Sequence, residues 1–443
     1  MRRLYTLLLY LALPFAALLT WARARRSRAP TSGPPPGSGP PPPGSLWRER
    51  LGFGVPRAGG GIWVHAVSVG EMQAAAILVA ALRARAQAPE LTVSCATPTG
   101  HARAQALMPD VPVRYAPYDL PGSLRRCFSQ LRPRLLILIE TELWPNLLHE
   151  AHRAGVPTLI ASARVSARTA RLYRRLPGLL RSPLQANVWV GAQSAADAQR
   201  FAEIGVAAAR LSVIGNIKFD RTLPDGLVAR GAALRAQYAA ERPVWVAGST
   251  HPGEEQIVLE AHRQLCRTLP RALLVLAPRH PQRFEAAAAA VQAAGLRCLR
   301  RSHARAHAPT ASGNPERGEP EAGFEVLLLD TLGELMEFYA AGDVAFVGGS
   351  LVPVGGHNLL EPAALALPVL SGPHQFNSPD VARILCEHGA LTVVEEAQGL
   401  AVALARALGD TEARARQGER ARAAIEANRG ALARLLGLVD QLL

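Results

Sequence analysis

The sequence predicts an α/β protein of two Rossmann-like domains facing a cleft, carried on an N-terminal membrane-anchor helix. Three observations lead there. Short aliphatic or β-branched runs alternate with longer alanine-rich stretches about five times between IWVHAV and SAADAQRFAEIG, a pattern that implies a parallel sheet covered by helices. The strand signal lapses around Lys218 to Tyr238 and restarts at PVWVAGS, giving a second unit of the same kind. Ahead of both, Leu4 to Trp21 is apolar and uncharged.

That first segment is flanked by Arg2 and Arg3 on one side and by Arg23, Arg25, Arg26 and Arg28 on the other. At about 1.5 Å rise per residue it nearly matches a bilayer core of roughly 30 Å. Arginines follow the apolar run where a signal peptide would place a small-residue cleavage site. The heavier basic flank lies on the C-terminal side, so residues 1–28 are expected to anchor the body of the chain on the cytoplasmic face of a membrane. Residues 29–45 are mainly Pro, Gly and Ser and are expected to be an extended spacer.

The first α/β domain is expected over 46–220 and the second over 221–443, the latter interrupted by a polar surface loop at 301–323 and ending in continuous helix from Thr411 to Leu443. A length of 443 residues supports two cores rather than one. The formal charge of +14 and a pI near 10.6, carried almost wholly by arginine, favour anionic partners. The five cysteines are dispersed and form no C-x-x-C pair, which suits a reducing compartment and indicates neither a disulfide framework nor a zinc cluster.

In open parallel sheets the carboxyl ends of the strands carry the site, so the residues just after each strand matter most. After IWVHAV comes Ser68-Val69-Gly70-Glu71. Ser followed by Glu three residues later is a capping box, and the same Glu71 at a strand end facing a cleft is also placed to be a general base. After RLLILI comes Glu140-Thr141-Glu142, either ordinary acidic residues near a helix start or a pair of functional carboxylates. Arg164, Arg168, Arg171 and Arg175 fall on one face of an expected helix, either a solvated stripe or a surface for a multiply anionic ligand such as a phosphorylated lipid.

In the second domain four turns look fit for a phosphate. They are Gly248-Ser249-Thr250, Pro278-Arg279-His280, Leu332-Gly333-Glu334, and the segment holding Gly355, Gly356, His357, Asn358 and Glu361. A dinucleotide fingerprint, a G-x-x-x-x-G-K-[ST] loop, an H-E-x-x-H motif and a D-x-D pair are all missing from the sequence. Basic-aromatic interleaving is missing too, so no nucleic-acid partner is expected.

Taken together, IWVHAVSVGE, ETELWPNLL, GNIKFD, GSTHPGEE, APRHPQRF, DTLGEL and GGHNLLEPAA resemble the Kdo (3-deoxy-D-manno-octulosonic acid) transferase family of lipopolysaccharide assembly, from about Leu46 to the C-terminal helices. The resemblance implies a GT-B type glycosyltransferase, with an acceptor domain first and a donor domain second. It implies inverting transfer of Kdo from CMP-Kdo to a phosphorylated lipid A precursor (lipid IVA) at the inner membrane, with no cofactor and no metal. Glu71 matches the family's catalytic base, and Glu140 and Lys218 match residues supporting the transition state. Pro278 and Arg279, Leu332, Gly333 and Glu334, and Asn358, Leu359, Leu360 and Glu361 match the CMP-contacting turns; Ser249 is expected beside them. Arg164, Arg168 and Arg171 are expected to serve the acceptor. Ser162 stands where the family usually has asparagine. Two other classes fit parts of the pattern: a sugar-nucleotide epimerase of the same fold, and a non-catalytic anionic-lipid binding protein.

Overall fold

The structure is a computed structural model that describes residues 1–13, 43–54, 59–306 and 323–443. It divides into two compact units, Met1–Arg221 with Asn428–Leu443, and Thr222–Ala427.

The first unit contains β1 (Ile62–Ala66), β2 (Leu91–Cys95), β3 (Val113–Tyr115), β4 (Leu135–Ile139), β5 (Thr158–Ala163), β6 (Val188–Ala192) and β7 (Leu211–Val213). They form one sheet in the order β3-β2-β1-β4-β5-β6-β7, every pair parallel. Successive side chains point to opposite faces, so β1 and β4 feed two cores: Trp63, Leu136 and Leu138 enter one, and Ile62, Val64, Leu135 and Ile137 the other. Both faces are helix-covered, and this is why these strands read as unbroken apolar runs.

The second unit contains β8 (Val244–Thr250), β9 (Leu273–Pro278), β10 (Cys298–Arg300), β11 (Val326–Leu328), β12 (Val344–Val347), β13 (Val369–Ser371) and β14 (Leu391–Val393). Its parallel sheet runs β10-β11-β9-β8-β12-β13-β14. Trp245, Leu274 and Leu276 pack on one side of it, and Val246, Leu273 and Val275 on the other. The two parallel-sheet α/β units expected from the sequence are therefore present.

Several expectations need correction. The final 33 residues are not one helix of the second domain: helix Thr411–Ala427 ends before Gly430 (φ 87), and helix Ala431–Leu442 belongs to the first unit. Its start is fixed by Asp220, which accepts from the N–H of Gly430 at 2.6 Å and of Leu432 at 2.8 Å, and Leu435 and Val439 are buried among residues of β1, β4 and β5. The 301–323 segment opens as helix Arg301–Ala306, and Arg301 is buried against Glu334; residues 307–322 lie outside the described residues. The arginine stripe also shrinks. Ser166 caps helix Ala167–Arg175, so Arg164 precedes that helix instead of sharing its face.

Residues 2–13 are helical. The Tyr5 hydroxyl donates to Asp119 at 2.8 Å and the Thr6 hydroxyl to Asn146 at 3.0 Å, while Leu4, Leu7, Leu8 and Leu11 are exposed. Among the described residues no helix is long and apolar enough to cross a membrane. The expected anchor continues through 14–28 and the spacer through 42, which lie outside the described residues; the last residues of the expected spacer open helix Pro43–Arg50.

Candidate active site

In the first sheet the strand order reverses between β1 and β4, and a doubly wound sheet carries its crevice at that point, beyond the carboxyl ends. The candidate catalytic residues sit there. Ser68 caps helix Val69–Arg83: its hydroxyl accepts from the N–H of Glu71 at 3.3 Å and donates to the Glu71 carboxylate at 2.8 Å. The Val67 N–H donates to the other Glu71 oxygen at 2.7 Å. The cap therefore exists, and it holds the carboxylate at the strand end rather than excluding a chemical role. Burial raises the Glu71 pKa above the ordinary carboxylate value; the Val67 and Ser68 hydrogen bonds oppose that shift and the charge of Glu140 adds to it.

β4 runs directly into Glu140, which is 4% exposed and has φ 62, a left-handed backbone that a non-glycine residue adopts at a cost. Its carboxylate lies 2.5 Å from the Lys218 ammonium and 3.0 Å from the Arg164 guanidinium. Lys218 is held by the turn Ile217–Asp220, where Asn216 accepts from its N–H at 3.0 Å. Its ammonium lies 4.0 Å from where a Cβ on Gly70 would stand, so it reaches the helix turn that carries Glu71. Ser162 has φ 53 and accepts from the Ile217 N–H at 2.9 Å, fixing the same turn. Lys218 is the only lysine of the chain. Among so many arginines a single lysine was a signal already present in the sequence.

Glu142 joins this group. Trp144 donates its indole N–H to it at 2.5 Å. Burial, then the charge of Glu71, pushes its pKa up to about 7. Arg168 and Arg171 are exposed on helix Ala167–Arg175, away from the Glu140 ion pairs. The structure thus brings Glu71, Glu140, Lys218 and Arg164 together, and leaves Arg168 and Arg171 on the surface.

The four expected donor segments lie at or just beyond the carboxyl ends of β8, β9, β11 and β12, which are contiguous in the second sheet. Ser249 has φ 58, and the Arg279 N–H donates to the Thr250 carbonyl at 3.0 Å. Pro278 is buried at the end of β9, while the Arg279 side chain is exposed with no carboxylate at ion-pair distance among the described residues. Leu332 is 71% exposed and Gly333 has φ 89 with open space around it. Glu334 is instead buried, its carboxylate taken by Arg301 at 2.8 Å and by Thr331. Asn358 accepts from the Leu360 N–H at 3.1 Å and donates to Glu361 at 3.2 Å. Leu359 and Leu360 are buried, so only their backbone could meet a ligand.

Sequence reasoning missed Glu254. This fully buried carboxylate accepts N–H bonds from His251, Gly349, Ser350 and Leu351 at 2.6 to 3.0 Å and ties the turns after β8 and β12 together. A cavity lined by Thr392, Val393, Arg406, Arg414 and Arg420 opens at edge strand β14. None of its lining residues belongs to the four turns, and it stands apart from the switch point between β8 and β12.

The profile of the family described as 3-Deoxy-D-manno-octulosonic-acid transferase (kdotransferase) matches residues 45–221. The 3-deoxy-D-manno-octulosonic acid transferase of Haemophilus influenzae is 39% identical over 381 residues, covering 86% of each chain. That of Bordetella pertussis is 38% identical over 459 aligned positions, covering 99% of each. Among solved structures, a putative UDP-N-acetylglucosamine 2-epimerase from Listeria monocytogenes aligns with a TM-score of 0.55 at 13% identity, over 86% of this chain and 96% of that one, a likeness of fold alone. On these relatives, and with the motif residues gathered at the first switch point, the chain belongs to the 3-deoxy-D-manno-octulosonic acid transferase family.

Proposed function

We propose that the protein is an inverting glycosyltransferase that moves Kdo from CMP-Kdo to the lipid A precursor lipid IVA, at the cytoplasmic face of the inner membrane. The observation that carries this reading is the meeting of Glu71, Glu140 and Lys218 at the carboxyl ends of β1 and β4, in a chain of this family. Glu71 takes the proton of the attacking acceptor hydroxyl. The hydroxyl oxygen bonds to the anomeric carbon as the bond to the CMP phosphate oxygen breaks, and CMP leaves with that electron pair. The Lys218 ammonium, fixed by Glu140, offsets negative charge as it develops.

The GT-B reading belongs to this proposal, with acceptor and donor held by different units. Ser249, Pro278, Arg279, the backbone of Leu332 and Gly333, and the turn from Asn358 to Glu361 take the CMP moiety; Glu334 shapes its turn through Arg301. Arg168 and Arg171 meet acceptor phosphates, while Arg164 orients Glu140. The exposed leucines of helix 2–13 support membrane attachment through the N-terminal segment.

The direct test incubates the full chain with CMP-Kdo and lipid IVA and follows both products. Lipid gaining the mass of Kdo with matching CMP release is the expected result. Turnover of a UDP-sugar without an acceptor would instead favour an epimerase, and neither reaction would leave an anionic-lipid binder.

A further inference from the structure

The second sheet has its own switch point, between β8 and β12, and two histidines occupy it. His251 follows β8 and His357 ends the loop after β12. Their Nε2 atoms are 2.8 Å apart, the rings are within 10° of coplanar, and the ring centroids are 5.0 Å apart. This is an edge-to-edge hydrogen bond between two imidazoles. Such a bond needs one N–H and one lone pair, so the shared edge holds a single proton.

The arrangement is built rather than incidental. Glu254 clamps the backbone on both sides of it, from the His251 N–H to the N–H groups of residues 349–351. Gly349 lies against the pair with φ 70, and a Cβ there would come within 2.9 Å of the His357 ring. His280, after β9, stands edge-on to His251 with ring centroids 5.3 Å apart and planes at 88°. Among the described residues no group of three or more His, Cys, Asp or Glu is arranged to hold a metal ion.

The charged and titratable groups acting on the pair are Glu254, Arg279 and His280. His374 lies on the neighbouring loop, with its N–H on the Ser350 carbonyl. Glu254 is already saturated with backbone donors. Burial is the main cause that lowers the His357 pKa to about 3, helped by His251, Arg279 and His280, and burial also lowers that of His251. Burial therefore keeps the pair uncharged near neutral pH. A phosphate dianion placed beside Arg279 would reverse that electrostatic sign.

We propose that the His251–His357 pair is a proton-linked phosphate receptor, which takes up one proton from solvent when a nucleotide phosphate monoester binds and returns it on release. The inference rests on the donor reading of the second unit and deepens it. Breaking the donor bond converts a phosphodiester into a monoester with one more negative charge at neutral pH. The pair would thus recognise the departing nucleotide more strongly than the donor.

Calorimetric titration of the full chain with CMP, in buffers of different ionisation enthalpy, counts the protons. We expect net uptake with CMP and none with cytidine. CMP affinity should fall as the pH rises between about 7 and 9, by up to about tenfold per unit. His357→Asn should abolish the uptake while retaining weakened CMP binding. CMP binding without uptake overturns the histidine assignment and leaves the donor reading standing, as does uptake unchanged in His357→Asn, since the phosphate itself would then carry the proton. Absence of CMP binding to the wild-type chain overturns both. The buffer comparison on wild type holds even if the variant does not fold.

Discussion

At its switch point the first sheet presents Glu71 and Glu140 with one lysine, whereas the second presents two imidazoles and an arginine that has no carboxylate partner among the described residues. Both sheets are parallel and seven-stranded, so the difference lies in the loops after the strands. The first set suits removal of a proton, because Glu140 is buried, Glu71 and Glu142 are half-buried beside it, and burial together with neighbouring carboxylate charge raises the pKa values of Glu71 and Glu142. The second suits capture of an anion, because the Arg279 side chain is exposed with no carboxylate at ion-pair distance among the described residues, beside the two imidazoles. On the function proposed, the two units divide the labour between base and donor binding.

This division can be attacked first at Lys218. Lys218→Arg keeps the charge but replaces a compact ammonium by a planar fork in a site where Glu140 is already paired with Arg164. We expect kcat/KM to fall roughly 10- to 100-fold, the scale of a charge-assisted bond of about 1.5 to 3 kcal/mol, with CMP binding unchanged. Near-normal turnover in steady-state assays would mean that any cation serves there.

Arg279→Ala probes the other side. CMP affinity should drop about tenfold in a direct titration, and much of the lost rate should return at saturating CMP-Kdo. If acceptor saturation suffers equally, the arginine does not belong to the donor site alone.

A smaller effect concerns stability. The folded chain holds the proton of Glu142 up to about pH 7, against 4.5 for a free glutamate. The folded pKa is raised, so the stability linked to this proton is complete below about pH 4.5 and is lost as the pH rises towards 7. Glu142→Gln mimics the protonated form. Above pH 7 it should raise the stability by an amount on the order of 1 to 3 kcal/mol at most, read as a higher thermal midpoint, and have little effect near pH 4. An equal shift at both pH values would contradict the raised pKa of Glu142.

Much of this was legible in the sequence, for physical reasons. Strands buried on both faces, such as LLILI and VWVAGST, announce themselves as apolar runs, and the glycine-bearing turns after them stand out. The three-residue edge strands β3, β7 and β14 have too few residues to show a period. Helix Ala431–Leu442 read correctly as a helix, but local pattern does not say which core receives Leu435 and Val439; that depends on Asp220, some 210 residues away. The same holds for contacts across loops. Arg164 reaching Glu140, Arg301 reaching Glu334, and His251 meeting His357 join residues distant in sequence. Glu71 was legible in both of its roles, and the structure shows the capping hydrogen bonds of one without removing the other.

Glu71→Gln therefore tests the central claim most directly, when turnover and CMP binding are measured on the same preparation. The amide oxygen still accepts from the Val67 N–H and the amide NH2 can donate to the Ser68 hydroxyl in place of accepting from it, so fold and CMP affinity should match wild type. It cannot accept the proton of the acceptor hydroxyl, and turnover should fall by about 10² to 10⁴-fold. Turnover within a few-fold of wild type, with unchanged thermal stability, would contradict the account and leave Glu71 as a helix cap alone.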